Sequence, residues 1–166
     1  VFSREGEINE IELNKLIDWI KHAKSVGVDP ILCLNHFTLP KWFEGSWANP
    51  DIVQMLAGHS TEVVRRMKEA DAMPARIVTI NEPMSTIPAG HIEGCWPPFH
   101  KTNPYSAGLY EQGWKILGNK GAKEYTNAID NSVQAHIELY HAMKEIDPEV
   151  PVGFTYNMPI FDPING

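Results

Sequence analysis

Residues 78–86 read Val-Thr-Ile-Asn-Glu-Pro-Met-Ser-Thr, an apolar run that ends on a carboxylate held between an amide and a proline. Glu82 in that position is either a solvated charge at a strand end or a reagent aimed at a substrate. Pro83 cannot donate to a sheet ladder, and it biases the residues before it toward extended or turn geometry. The Glu82 side chain is therefore expected to point in a defined direction. A carboxylic acid beside apolar and aromatic walls can hold a proton near neutral pH and hand it to a leaving group. A second polar cluster lies upstream, where Leu34-Asn35-His36-Phe37-Thr38-Leu39-Pro40-Lys41-Trp42-Phe43 sets a histidine and two aromatics after another apolar run. Imidazole hydrogen-bonds a hydroxyl, and an aromatic face covers the C–H patches of a pyranose. His36 and Trp42 thus read as sugar-binding groups. The plainer alternative makes Trp42 and Phe43 core residues opening a helix, and for Phe43 it is the better one. Trp47 and Trp96 stand between walling a pocket and packing a loop.

Other chemistries find less support. His22, His59, His136 and His141 fall on predicted helices, where solvated or packing roles outweigh ligation; His91 and His100 complete the set with His36. There is no HExxH and no CxxC pattern, so no metal site is expected. No nucleophile elbow accompanies a serine. No glycine-rich turn follows a first strand, so no nucleotide cofactor is expected.

The elements that must position Glu82 and His36 are legible in the periodicity. Residues 11–26 place Leu13, Leu16, Ile17, Ile20, Ala23 and Val26 at helical spacing, and Gly27 closes the segment. Ile31 to Leu34 is a short run without polar alternation, which suits a parallel strand buried on both faces. A second helix begins at Asn49-Pro50, with asparagine as cap and proline in the first turn, and carries Ile52, Val53, Leu56, Val63, Val64 and Met67. Residues 76–81 form the next strand. Residues 84–124 hold many prolines and glycines and read as a long, functional loop with at most one short helix. From about Tyr125 a third helix carries Ile129, Val133, Ile137, Tyr140 and Met143, and 152–157 is the last strand. Alternating strands and helices imply a parallel sheet, either open and doubly wound or closed as a (β/α)8 barrel. Polar residues follow the strand ends at Asn35-His36, Asn81-Glu82 and Asn157, where a barrel places its active site. A barrel is favoured.

Fourteen Lys and Arg against 21 Asp and Glu give a net charge of −7, which argues against nucleic acid or an anionic membrane as partner. The one basic cluster, Val64-Arg65-Arg66-Met67-Lys68, falls at a helix C-terminus, where cations complement the dipole. Two cysteines are too few for a disulfide framework, and Cys33 reads as a packing residue. No apolar stretch approaches the roughly 18 residues needed to span a membrane. VFSREGEINE has no signal-peptide pattern, which favours a cytoplasmic protein, although a start without methionine leaves the true terminus open.

LNHFTLPKWF, then TINEP, then EGCWPPFH, a helix containing Ala-His and a VGFTYN strand together resemble glycoside hydrolase family 1, the β-glucosidase and β-galactosidase family. The resemblance covers essentially the whole chain. It implies a (β/α)8 barrel that hydrolyses β-linked glycosides or small oligosaccharides with retention, without a cofactor. By that resemblance Glu82 is the general acid/base, Asn81 binds the 2-hydroxyl and His36 binds a neighbouring hydroxyl. Trp42 and the 84–124 loop lie around the entrance, and Asn157 faces the mouth. Asn35 stands where a tyrosine or histidine is commoner, and Gly45-Ser46-Trp47 replaces Gly-Gly-Trp. The retaining mechanism also needs a nucleophilic carboxylate about 5 Å from the first, and the family's Glu-Asn-Gly motif does not occur. With about four strands of eight, counting one at residues 1–3, residues 1–166 are expected to be a fragment of one barrel domain, from the end of strand 2 through strand 5. Open edges and exposed core should then make it fold poorly alone. A non-catalytic sugar-binding relative and another Asn-Glu-Pro barrel, such as a cellulase, remain the alternatives.

Overall fold

A parallel strand must be covered on its faces by the helices that connect it, and β/α alternation supplies them. In the computed structural model, which describes residues 2–4, 6–100 and 118–157, the order is β1 (Phe2–Arg4), β2 (Glu7–Ile8), α1 (Glu10–Ser25), β3 (Ile31–Asn35), α2 (Asp51–Glu69), β4 (Arg76–Asn81), α3 (Pro83–Pro88), α4 (Gly118–Ile146) and β5 (Val152–Thr155). Strands β3, β4 and β5 form a parallel sheet in that order. All three therefore end on the same edge of the sheet, with β4 in the middle.

The first segment departs from expectation. β1 does not join the parallel sheet; it pairs antiparallel with β2, a strand the periodicity missed because it is only two residues long. Elsewhere the local signals hold. Asn9 caps α1, its Oδ1 accepting from the Glu12 amide at 3.2 Å, and Gly27 closes the segment at φ 78°. Asn49 Oδ1 accepts from the Asp51 amide at 3.0 Å at the start of α2. The expected α2 stripe is buried throughout, from Ile52 to Met67.

Helix α4 differs in two ways. It starts at Gly118, well before Tyr125, and its core stripe is Ala128, Ala135, Leu139 and Met143. Val133, Ile137 and Tyr140, read as core, are 51%, 39% and 37% exposed. The helix carries two apolar faces, and the one with the smaller residues packs closely on the sheet and α2. Part of the 84–124 segment is also regular: α3 runs on into a single π-helical turn at Ala89–Glu93. Residues 101–117 of that segment lie outside the described residues.

The buried core falls into separate clusters, bridged by half-buried Leu32 and Leu34 of β3. Trp47, Ile52, Leu56, Ile80, Ile87 and Leu139 form one cluster, and Val64, Ile77, Met143 and Val150 another. Thr79, fully buried, donates its hydroxyl to Gly153 O of β5 at 3.1 Å and meets His136 Nδ1 of α4 at 2.8 Å. With the hydroxyl proton spent on Gly153, the imidazole supplies Nδ1–H. The outer strands β3 and β5 are open edges in the described structure. Ile31, Phe154 and Tyr156 are more than half exposed, and Leu16, Leu32, Leu34, Leu39 and Val63 border a hollow of about 350 Å³ beside β3. The expected unfinished core is present. The basic cluster is neutralised within the fold: Arg65 pairs with Glu62 and Glu69, and Arg66 with Glu10 of α1. Among the described residues no helix is long and apolar enough to cross a membrane.

Two outcomes follow for the longer protein that carries this chain. Ile77→Ala, at a side chain 1% exposed, should cost about 2–5 kcal/mol in chemical denaturation, whereas Trp19→Ala, 73% exposed, should stay within about 0.5 kcal/mol. Burial holds the His136 pKa below its ordinary 6.5, so the folded protein binds that proton less readily than the unfolded chain. Its contribution to stability is complete above pH 6.5 and is lost as pH falls through that value toward the lower folded one. His136→Gln should flatten that part of the melting-temperature-against-pH curve.

Candidate active site

The chain turns from strand to helix within one residue, and that residue is Glu82. Its backbone is left-handed, φ 43° and ψ 61°, a turn geometry rather than an extended one. A non-glycine residue there costs about 1–3 kcal/mol, so something must hold it. The Glu82 amide donates to Thr155 O at 3.2 Å and Thr155 Oγ1 at 3.3 Å, at the end of β5. Its carbonyl accepts from the amides of Ser85 at 2.9 Å and Thr86 at 3.1 Å, which start α3. Several hydrogen bonds at about 0.5–1.5 kcal/mol each offset the strain. Pro83, in the first helical turn, has no amide to leave unpaired.

The side chains continue the pattern. Ser85 Oγ donates to Glu82 Oε2 at 3.0 Å. Thr155 Oγ1 donates to Asn81 Oδ1 at 2.7 Å while accepting from the Glu82 amide. That contact orients the Asn81 amide: its oxygen is taken, and its two N–H donors carry no hydrogen bond among the described residues. Asn81, Glu82, Ser85 and Thr155 thus form one knot across the ends of β4 and β5. Glu82 and Asn81 are half-buried, accessible from the edge where the strands end.

His36 lies one residue beyond β3 on the same edge of the sheet and is exposed. Asn35, 4% exposed, donates Nδ2–H to Thr38 O at 2.9 Å and pins the turn. His36 stands edge-on to Phe37 at 4.6 Å between centroids, and Phe37 in turn contacts Trp96 at 4.7 Å. Trp96 is the aromatic that sits beside the histidine turn. Its place is set by a close approach: Gly90 lies so near Pro97 O that a Cβ there would stand 2.4 Å away.

Trp42 is elsewhere. Its ring packs against His59 of α2 at 5.2 Å and against Phe43 at 6.4 Å. With Glu44, Asn49 and Gln54 it borders a separate hollow of about 570 Å³. The ring thus lies against α2 and beside this hollow, away from the Asn81–Glu82 edge. Asn157 is exposed beyond the end of β5, and no hydrogen bond ties it to the knot. Periodicity carried the last strand to residue 157, whereas β5 stops at Thr155. The residues that sequence reasoning missed are Ser85 and Thr155. Ser85 follows Glu82 at helical i, i+3 spacing, and Thr155 is a polar residue closing an apolar strand, so both signals were present.

The glycosyl hydrolase family 1 pattern matches residues 3–166. The chain is 25% identical over 165 residues to a coniferin β-glucosidase of Pinus contorta, covering 96% of this chain and 31% of that protein. A β-glucosidase from Exiguobacterium marinum superposes with a TM-score of 0.76 at 21% identity, over 95% of this chain and 31% of that one. A β-glucosidase from Thermotoga maritima, solved with a methoxycarbonyl-substituted glucoimidazole, gives 0.72 at 22% identity over 96% of this chain and 32% of that one. The chain therefore spans under a third of the length of these relatives, and its α/β architecture is part of a (β/α)8 barrel. With the match running over nearly its whole length, the chain belongs to glycosyl hydrolase family 1.

Proposed function

We propose that this chain carries the general acid/base of a retaining β-glycoside hydrolase of the β-glucosidase kind, with Glu82 in that role. The observation that carries the reading is the knot at the ends of β4 and β5, which fixes a carboxyl group and a neighbouring amide donor on one accessible edge. Ser85 donates to Oε2 and so leaves Oε1 to hold the transferable proton. Glu82 gives that proton to the glycosidic oxygen as the bond to the anomeric carbon breaks. A carboxylate outside these 166 residues attacks the same carbon and forms the glycosyl-enzyme. Glu82, now ionised, removes a proton from water, whose oxygen displaces the enzyme carboxylate and restores the starting state.

Asn81 offers its N–H groups to the sugar 2-hydroxyl, a contact that strengthens as the oxocarbenium-like transition state forms. His36 binds a neighbouring hydroxyl of the glycone, and Trp96, reached through Phe37, is an aromatic wall for the leaving group. The β-glucosidase names of the relatives and the glucoimidazole complex support a glucose-type β-glycoside as substrate.

In the full-length protein, Glu82→Gln should lower kcat/KM on an unactivated alkyl glycoside by about 10²–10⁴-fold. An aryl glycoside with a good leaving group should lose less in its first step, because it needs less protonation. Wild-type turnover on the alkyl glycoside would overturn the assignment. Thr155→Val removes the hydroxyl contacts to the Asn81 side chain and the Glu82 amide, leaving the backbone bond from that amide to Thr155 O, and should lower kcat/KM about tenfold, roughly the worth of one hydrogen bond. The fall should appear mainly in kcat, and Thr155→Ser should recover it; equal losses in both variants would point to mere packing.

A further inference from the structure

Away from the knot, three side chains able to ligate a metal converge: His91 of the π-helical turn, His100, and Glu124 of α4. One ligand atom from each lies within 4.8 Å of the others. His100 Nδ1 is 3.2 Å from Glu124 Oε2, and the two imidazole rings stand edge to face at 5.8 Å. His91 is only 3% exposed. Its Nε2 meets Ser46 Oγ at 3.3 Å, but its Nδ1 is buried with no hydrogen-bond partner. A dry, unpaired ring nitrogen is costly, and its persistence asks for an explanation.

We propose that His91, His100 and Glu124 bind a divalent transition-metal ion of the zinc class, with a fourth position open to water. Two imidazoles and one carboxylate are borderline donors that suit zinc better than magnesium or calcium. Bonds of about 2.0–2.1 Å in tetrahedral geometry hold ligand atoms about 3.3 Å apart. His100, exposed, and Glu124, half-buried, reach that spacing by side-chain rotation. Coordination through Nδ1 satisfies the orphaned atom and leaves Nε2–H to donate to Ser46, the outer hydrogen bond that orients metal-bound histidines. The ion ties the 89–100 segment, with Trp96 inside it, to α4. The three side chains come from separate elements, so no short-range spacing in the sequence marks them. None of the three residues belongs to the Glu82 knot, so the inference stands apart from the glycosidase reading.

The test uses full-length protein stripped with chelator, titrated with Zn²⁺ in competition with a chromophoric chelator. Wild type should take up one equivalent more than either His100→Ala or Glu124→Gln, with affinity at that equivalent reduced at least about 100-fold in the variants. Cobalt in place of zinc should give a visible d–d band that both variants lose and His141→Ala, on the exposed face of α4, retains. Mg²⁺ should not compete. Circular dichroism checks folding, and His100→Gln replaces His100→Ala should the latter not fold. No uptake by wild type, or equal uptake by wild type and variants, overturns the proposal.

Discussion

Glu82 is held in a backbone conformation it would not keep by itself, and the chemistry proposed for this chain depends on what prevents its relaxation. The restraint comes from two directions. β5 supplies a carbonyl and a hydroxyl to the Glu82 amide, and α3 supplies two amides to its carbonyl. Neither alone would set both the backbone and the carboxyl group. The residue is thus fixed by the meeting of a strand end with a helix start, and the proline at the first helical position has no amide to leave unpaired.

This arrangement needs a rigid base, and the packing provides it. β4 is the central strand, and Ile77, Thr79 and Ile80 beneath the site are each no more than 2% exposed. Thr79 ties β4 to β5 and to α4 at one point, well below the site. The strands therefore cannot slide past each other without breaking buried hydrogen bonds, which in a dry interior costs more than the bonds return in water. By contrast, the open flanks at β3 and β5 expose Ile31, Phe154 and Tyr156. The most deeply buried strand of the described sheet, β4, lies under the carboxylate.

Much of this was legible in the residues. Helices α1 and α2, the strands at 31–35 and 76–81, and the placing of Glu82 at a strand end came from periodicity, caps and the Asn-Glu-Pro turn. What was not legible depended on three-dimensional context. On α4, periodicity could not tell which of two apolar faces meets the sheet: Met143 is buried and Ile129 packs against the core, but Val133, Ile137 and Tyr140 fall on the other face. Trp42 read as a sugar platform from its residue type alone, and its type could not show that its ring would lie against His59 and Phe43. Thr155 showed locally only as a polar residue closing an apolar strand; its partner lies 74 residues away, and no local pattern carries that link. The histidine pair with Glu124 is the same case, since sequence patterns record short spacings alone.

The link from Thr155 to the Asn81–Glu82 pair also makes strand alignment a switch on competence. Side chains alternate along β5, so a slip of one residue would present Phe154 or Tyr156 where Thr155 now stands. Both are aromatic, and neither could bridge the Asn81 amide and the Glu82 backbone in the same way. A mispaired molecule could thus keep its helices, its burial and its overall outline while losing the Asn81–Glu82 alignment on which the proposed chemistry rests. Folding fidelity here is measured in single residues of offset, and an assay for structure alone would miss the error.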